Sequence, residues 1–271
     1  MYLELEKGKG ILSKENLFYE GDTSIIYREK ELLYKIYLRQ EPYIRQKLDI
    51  LIANENLRDV GILPIKKIRT LDGSYGMVMR RIRESYTYLT YQRNNPSLDN
   101  LIKNMIILSD GLKRINNENI MFPDLHHNNI LFDVKGKPWF IDFDDAVIGE
   151  YYSNHICCIC RKMHEVETLG RDYEKKLMKY GNMDREALYI LFLDYLLGIN
   201  IEELNKNDYL NLVDYYSKYF PLEFIKSLID LKKLDPNDIS YQYYLGDYLK
   251  DERVVKGCKV LRRSINEHNS F

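Results

Sequence analysis

Between Phe122 and Glu150 the chain reads F-P-D-L-H-H-N-N-I-L-F-D-V-K-G-K-P-W-F-I-D-F-D-D-A-V-I-G-E, and this stretch limits the fold more tightly than any other. One apolar run (Ile130, Leu131, Phe132) and a second (Trp139, Phe140, Ile141) flank a turn at Lys135-Gly136-Lys137. That is the pattern of two short strands about a glycine turn. A hairpin returns the chain, so polar residues at its two ends are expected side by side. Those residues are Asn129 at the mouth and Asp142 at the far end, with Asp124 upstream on the same loop.

A carboxylate and an amide oxygen at one point make a hard-oxygen site suited to Mg²⁺, which keeps the rest of its shell for water and phosphate. Asp124 is placed to accept a proton from an attacking hydroxyl. Together these groups are the equipment of phosphoryl transfer.

D-L-H-x-x-N-I-L followed by I-D-F-D resembles the catalytic loop and metal-binding segment of the protein-kinase-like superfamily. It is more similar to the small-molecule branch: aminoglycoside phosphotransferases, choline kinases and bacterial spore-coat kinase-like proteins. There the catalytic Asp is followed two places on by His, as by His126 in this chain. The resemblance implies an α+β, bilobal protein-kinase-like fold. Residues 1–82 would form a small β-rich nucleotide-binding lobe, and residues 83–271 a large helical lobe with the catalytic loop and a substrate pocket. It implies ATP and Mg²⁺ as cofactors and transfer of the γ-phosphoryl group to a hydroxyl of a small molecule. Asp124, His126 and Asn129 would be the catalytic set, and Asn129 and Asp142 the metal ligands, with a water-mediated contact from Asp144. The chain departs from the family pattern at Phe122, where His is usual, with Pro123 after it, and at Asn154, where a structural Asp is frequent. Two other readings stand beside this one. A nucleotide-binding pseudokinase would act through a protein partner. A protein Ser/Thr kinase is disfavoured by His126 in place of Lys and by the lack of A-P-E after the metal-binding segment.

From Leu17 to Tyr37 the pattern is strand, small polar loop, strand, with Gly21, Thr23 and Ser24 in the loop. Loops of this build turn backbone N–H groups toward phosphates. Lys35 lies at the centre of the run Leu32–Tyr37, and the resemblance assigns it to the ATP phosphates. Tyr43–Leu57 reads as a helix, on which Asp49 and Glu55 are both open as the acidic partner of Lys35. Ile62–Ile68 and Tyr75–Ile82 read as strands. The second ends at Met79, Arg80 and Arg81, which in the family link the lobes and bond the adenine edge through the backbone. The wider cluster Arg80, Arg81 and Arg83 reads as a solvated linker.

Ser97 caps a long helix whose stripe is Leu98, Leu101, Met105, Leu108, Leu112 and Ile115. Later segments with helical character are Ser153–Leu169, Asp184–Leu197, Asn207–Tyr219, Leu222–Lys233 and Ile239–Ile265. Asp184 reads as a cap. His155, Cys157, Cys158, Cys160 and His164 crowd together, but without C-x-x-C spacing, and on a helix they point in several directions. Zinc is not expected there.

Forty Lys+Arg against 41 Asp+Glu give a net charge of −1, so no overall field recruits nucleic acid or an anionic membrane. No apolar run approaches the ~20 residues of a spanning helix. The charged N-terminus lacks a signal-peptide core, and four cysteines do not make a disulfide framework. A cytoplasmic protein is the expectation.

Overall fold

Alternation of side chains in the N-terminal third builds a five-stranded antiparallel sheet, and what covers each face decides where the charged groups go. The computed structural model describes residues 3–4, 11–39, 43–151, 183–231 and 243–268. Within them the chain is a mixed α+β protein. It divides into two compact units, Met1–Tyr86 with Leu131–Asp144, and Thr87–Ile130 with Asp145–Phe271. The expected helix Ser153–Leu169, the His155–His164 cluster and Asn154 lie outside the described residues.

In the first unit a short ribbon pairs β1 (Leu3–Glu4) with β2 (Ile11–Leu12). The sheet then takes β3 (Leu17–Glu20), β4 (Ser24–Glu29), β5 (Leu32–Tyr37), β6 (Pro64–Arg69) and β7 (Tyr75–Arg80), in the order β3-β4-β5-β7-β6. Between β5 and β6 runs helix α1 (Ile44–Ala53). Successive strand residues face opposite ways, and both faces are covered. Tyr27, Tyr34, Ile36 and Val78 pack with Leu12 on one side. Tyr37, Met77 and Met79 pack with Ile44 and Leu48 of α1 on the other. Ten residues are too few for a helix to persist alone in water. Burial of Ile44, Leu48 and Leu51 therefore holds α1 in place, each fully buried aliphatic side chain contributing roughly 1.5–3 kcal/mol. Lys35 alternates into register with Leu33 and Tyr37, on the face that α1 covers, and is only 5% exposed.

The expected hairpin is present as strands Ile130–Phe132 and Pro138–Phe140, hydrogen-bonded neighbours in a three-stranded sheet with Tyr86–Thr87. Its turn is organised by Asp133. That carboxylate accepts from the backbone N–H of Lys135 (2.8 Å) and Lys137 (3.0 Å) and from Trp139 Nε1 (3.1 Å). Gly136 supplies the left-handed residue the turn needs, at φ +75°. The hairpin's second strand is tied to residues 60–62: Ile62 N–H donates to the Phe140 carbonyl at 2.8 Å, and Phe140 N–H to Val60 at 3.2 Å. Those bonds occupy the residues that sequence reading gave to the start of the next strand, and β6 accordingly begins only at Pro64.

The second unit is helical. After α2 (Tyr88–Arg93), α3 (Leu98–Asn117) begins as expected, with Ser97 Oγ accepting from Asn100 N–H at 3.3 Å. Its stripe from Leu101 to Ile115 is buried. Helix α4 (Met183–Leu197) is apolar almost all round and buried almost all round, the mark of a central helix. Tyr88 reaches it by donating its hydroxyl to the Leu191 carbonyl at 3.0 Å. There follow α5 (Lys206–Tyr216), α6 (Leu222–Leu231), α7 (Leu245–Leu249) and α8 (Glu252–His268). The last two replace the single helix expected to reach Ile265. Asp251 breaks it, because its carboxylate accepts from Arg253 N–H at 2.8 Å and so caps a new helix. Strands Ile120–Met121 and Val147–Ile148 pair antiparallel in this unit. Among the described residues no helix is long and apolar enough to cross a membrane.

Candidate functional site

In the first unit the chain concentrates charge where packing would exclude it. Lys35 Nζ lies 2.6 Å from Asp142 Oδ1 and 2.8 Å from Asp144 Oδ2. Asp144 is 4% exposed, and its Oδ2 also accepts from the Tyr37 hydroxyl at 2.9 Å. Its other oxygen, Oδ1, is buried with no hydrogen-bond partner. Burial raises the Asp144 carboxyl above its usual range, with Lys35 pulling the other way and Asp142 adding to the rise. Moving an ion out of water costs several kcal/mol even when paired, so a group of this kind marks a candidate site rather than a stabilising device.

Asp142 sits in the left-handed region at φ +68°, where a non-glycine residue persists only if its surroundings enforce it. The next residue, Phe143, is buried and lies against Gly61 so closely that a Cβ there would come 2.2 Å from the ring. Within the turn Phe143–Asp145 and the residue before it, Asp142, Asp144 and Asp145 each offer a carboxylate oxygen within 4.8 Å of the others. Three carboxylates at this spacing could hold a metal ion.

Asp49 and Glu55 are not the partners of Lys35. Asp49 pairs with Lys67 at 2.6 Å, and Glu55 with Arg58 at 2.8 Å. What α1 turns inward is Lys47, 4% exposed, whose Nζ donates to the Asp144 carbonyl at 3.3 Å. The glycine loop is tight: Gly21 N–H donates to Ser24 O (3.0 Å) and Leu38 N–H to Thr23 O (2.9 Å), with the Tyr19 ring lying over Gly21. Met79 is buried in β7 opposite Leu33, Arg80 is exposed, and Arg81 N–H donates to Glu31 O at 2.8 Å. Arg83 forms an ion pair with Glu31.

The second unit carries Asp124, His126 and Asn129 on one loop. Asn129 N–H donates to the His126 carbonyl and its Nδ2 to the Asp124 carbonyl, both at 2.9 Å. Because a carbonyl only accepts, the amide must present nitrogen to it, which makes Oδ1 the end available to a cation. His126 Nδ1 accepts from Asn128 N–H at 3.2 Å, so in the neutral ring the proton is on Nε2, the atom 3.8 Å from Asp124 Oδ2. Leu125 is fully buried and pins the loop between its polar residues.

The loop is also held from α4. Asp184, 1% exposed, accepts from Asn116 Nδ2 at 2.8 Å and from Phe122 N–H at 3.3 Å, and its other oxygen accepts from Arg185 N–H at 2.8 Å. Burial pushes this carboxyl up, while the Asn116 bond and the Arg185 charge oppose the shift. Asp184 read as a helix cap in sequence, and its brace on the loop was not anticipated. Tyr37 and Lys47 were likewise missed, although Lys47 falls on the spacing Ile44, Lys47, Leu48, Leu51 that marks a buried stripe. Asp184→Asn is expected to lower unfolding free energy by roughly 2–4 kcal/mol, since an amide N–H₂ would then face buried donors. Urea denaturation measures this. A loss within ~0.5 kcal/mol, ordinary for a surface change, would mean that the loop is held elsewhere.

On the second unit Leu98, Asp99, Lys259, Arg262, Arg263, Asn266 and Glu267 form an open basin, and Leu193, Tyr209, Val213, Ile225, Leu228 and Leu261 line part of an apolar cavity. Asp124 lines neither of them. Compared with known proteins, the chain matches no family model, and no curated protein aligns with it significantly.

Proposed function

We propose that this protein is an ATP- and Mg²⁺-dependent phosphotransferase of kinase-like fold, moving the γ-phosphoryl group to a hydroxyl of a small molecule. The observation that carries the reading is Lys35 held at 2.6 and 2.8 Å between the carboxylates of Asp142 and Asp144, beside the orphaned Asp144 Oδ1. A structural ion pair needs one acid. Two acids, the first of them a left-handed residue, and a spare buried oxygen on the second suit a site that exchanges cations with a polyanion. The antiparallel sheet with α1 between β5 and β6 supports the kinase-like fold.

Asp142 and Asp144, to which the family resemblance adds the Asn129 amide, carry oxygens that would hold Mg²⁺, which when bound neutralises charge on the phosphates. Lys35 contributes a second positive charge to them. The acceptor oxygen forms a bond to the γ-phosphorus as the bond from that phosphorus to the β–γ bridging oxygen breaks. The hydroxyl proton passes to the Asp124 carboxylate, and ADP carries away the bridging oxygen. His126 Nε2 faces Asp124 and orients it, while the Asn129–Asp124 carbonyl bond fixes the loop. The testing experiment is a coupled ADP-release screen over small hydroxylated metabolites, aminoglycosides and generic protein acceptors. Turnover with a small hydroxylated compound supports the reading, and turnover confined to protein acceptors removes the small-molecule assignment.

A further inference from the structure

We propose that Tyr37 and Lys47 are positioning residues that aim Asp144 Oδ1 at the metal, an inference that rests on the reading above. A carboxylate offers two oxygens, and which one a cation meets depends on what has already claimed the other. Asp144 Oδ2 is claimed twice, by the Tyr37 hydroxyl at 2.9 Å and by Lys35 Nζ at 2.8 Å. That leaves Oδ1, buried and without a hydrogen bond, as the free lone-pair donor. The peptide of the same residue is held as well, Lys47 Nζ donating to its carbonyl at 3.3 Å. Side chain and main chain of Asp144 are thus fixed from two different elements, β5 and α1.

Sequence position explains both braces. Tyr37 lies two residues beyond Lys35 and so shares its face of β5. Lys47 lies one turn along α1 from Ile44 and Leu51, on the stripe that faces the sheet. A lysine placed there pays for desolvation only if its ammonium finds an acceptor, and the Asp144 carbonyl is one. Neither residue needs to touch the metal. Their effect is on the orientation of the ligand, and partners of this kind typically shift metal affinity by 10–100-fold.

The test is the midpoint of a Mg²⁺ titration followed by thermal shift at saturating ATP, with ATP in EDTA as the metal-free reference. Tyr37→Phe and Lys47→Met are each expected to raise the half-saturating Mg²⁺ concentration by about 10-fold and to leave the ATP shift in EDTA unchanged. Lys47→Arg, which keeps a buried cation, is expected to recover part of the loss. In an Asp144→Asn background neither substitution should change the midpoint further, because both act through that carboxylate. If Asp144→Asn raises the midpoint while Tyr37→Phe and Lys47→Met leave it at the wild-type value, the positioning roles are overturned and the metal site stands. If the wild-type protein shows no Mg²⁺-dependent shift at all, the metal reading fails and this inference goes with it. Tyr37→Phe removes a single oxygen, so it carries the test even if Lys47→Met does not fold.

Discussion

In the presence of Mg²⁺, ATP is expected to raise the melting temperature well beyond its effect in EDTA, and Asp142→Asn is expected to erase the difference. A ligand that binds only the native state stabilises it by mass action, giving ~2.7 kcal/mol at a hundred times its dissociation constant. For a chain of this size that corresponds to roughly 5–10 °C. Asn at position 142 keeps the shape of the side chain and its capacity for the left-handed region, in which Asn is as acceptable as Asp. What it loses is the charge that now faces Lys35 at 2.6 Å. The variant's own melting temperature without ligand reports any damage from that lost pair, so the ligand-induced shift can be read separately. An equal ATP shift with and without metal would remove Mg²⁺ from the assignment and leave nucleotide binding in place.

Asp124→Asn is expected to cut phosphoryl transfer by ~10²–10⁴-fold, the usual worth of a positioned general base, with ATP affinity nearly unchanged. The split follows from what Asp124 is assigned to touch, the acceptor hydroxyl and not the nucleotide. The loop itself should survive, because Asn129 bonds the main-chain carbonyl of residue 124 and not its side chain. Single-turnover rates with the acceptor found in the ADP-release screen, set beside ATP affinity by thermal shift, make the comparison. Wild-type turnover no higher than that of the variant with any acceptor would turn the protein into a nucleotide-binding pseudokinase that acts through a partner.

Parts of both units were legible because their signals are local. The hairpin follows from two apolar runs about Lys135-Gly136-Lys137, the apolar run Leu32–Tyr37 marks a strand with Lys35 at its centre, and the Ser97 cap with its stripe places α3. Strand and helix ends were blurred wherever a tertiary bond intervened, as at residues 60–62, which serve the hairpin, and at Asp251, which starts a helix of its own. The partner of Lys35 was not legible. Asp49 and Glu55 carry the right charge in the right segment, but the face of α1 that meets the sheet is set by Ile44, Leu48 and Leu51, and both acids lie off it. Acids more than a hundred positions away in sequence answer to Lys35 instead, and no local pattern announces a pairing over that distance. Lys47 was passed over because a charge on an apolar stripe reads as an interruption. The orphaned Oδ1 of Asp144 is invisible in any sequence, since it is defined by what two other side chains have already taken.

The bond from Phe122 N–H to Asp184 has a bearing on how this chain can vary over time. The loop before Asp124 is anchored through the peptide backbone, and Pro123 has no N–H of its own to offer in that role. The side chain at position 122 takes no part in that bond and is buried, at 2% exposed. A polar side chain placed there would give up its hydrogen bonds to water, so the site favours a large apolar residue. Position 184 is constrained differently, because its carboxylate serves a helix start, an asparagine and the loop at once.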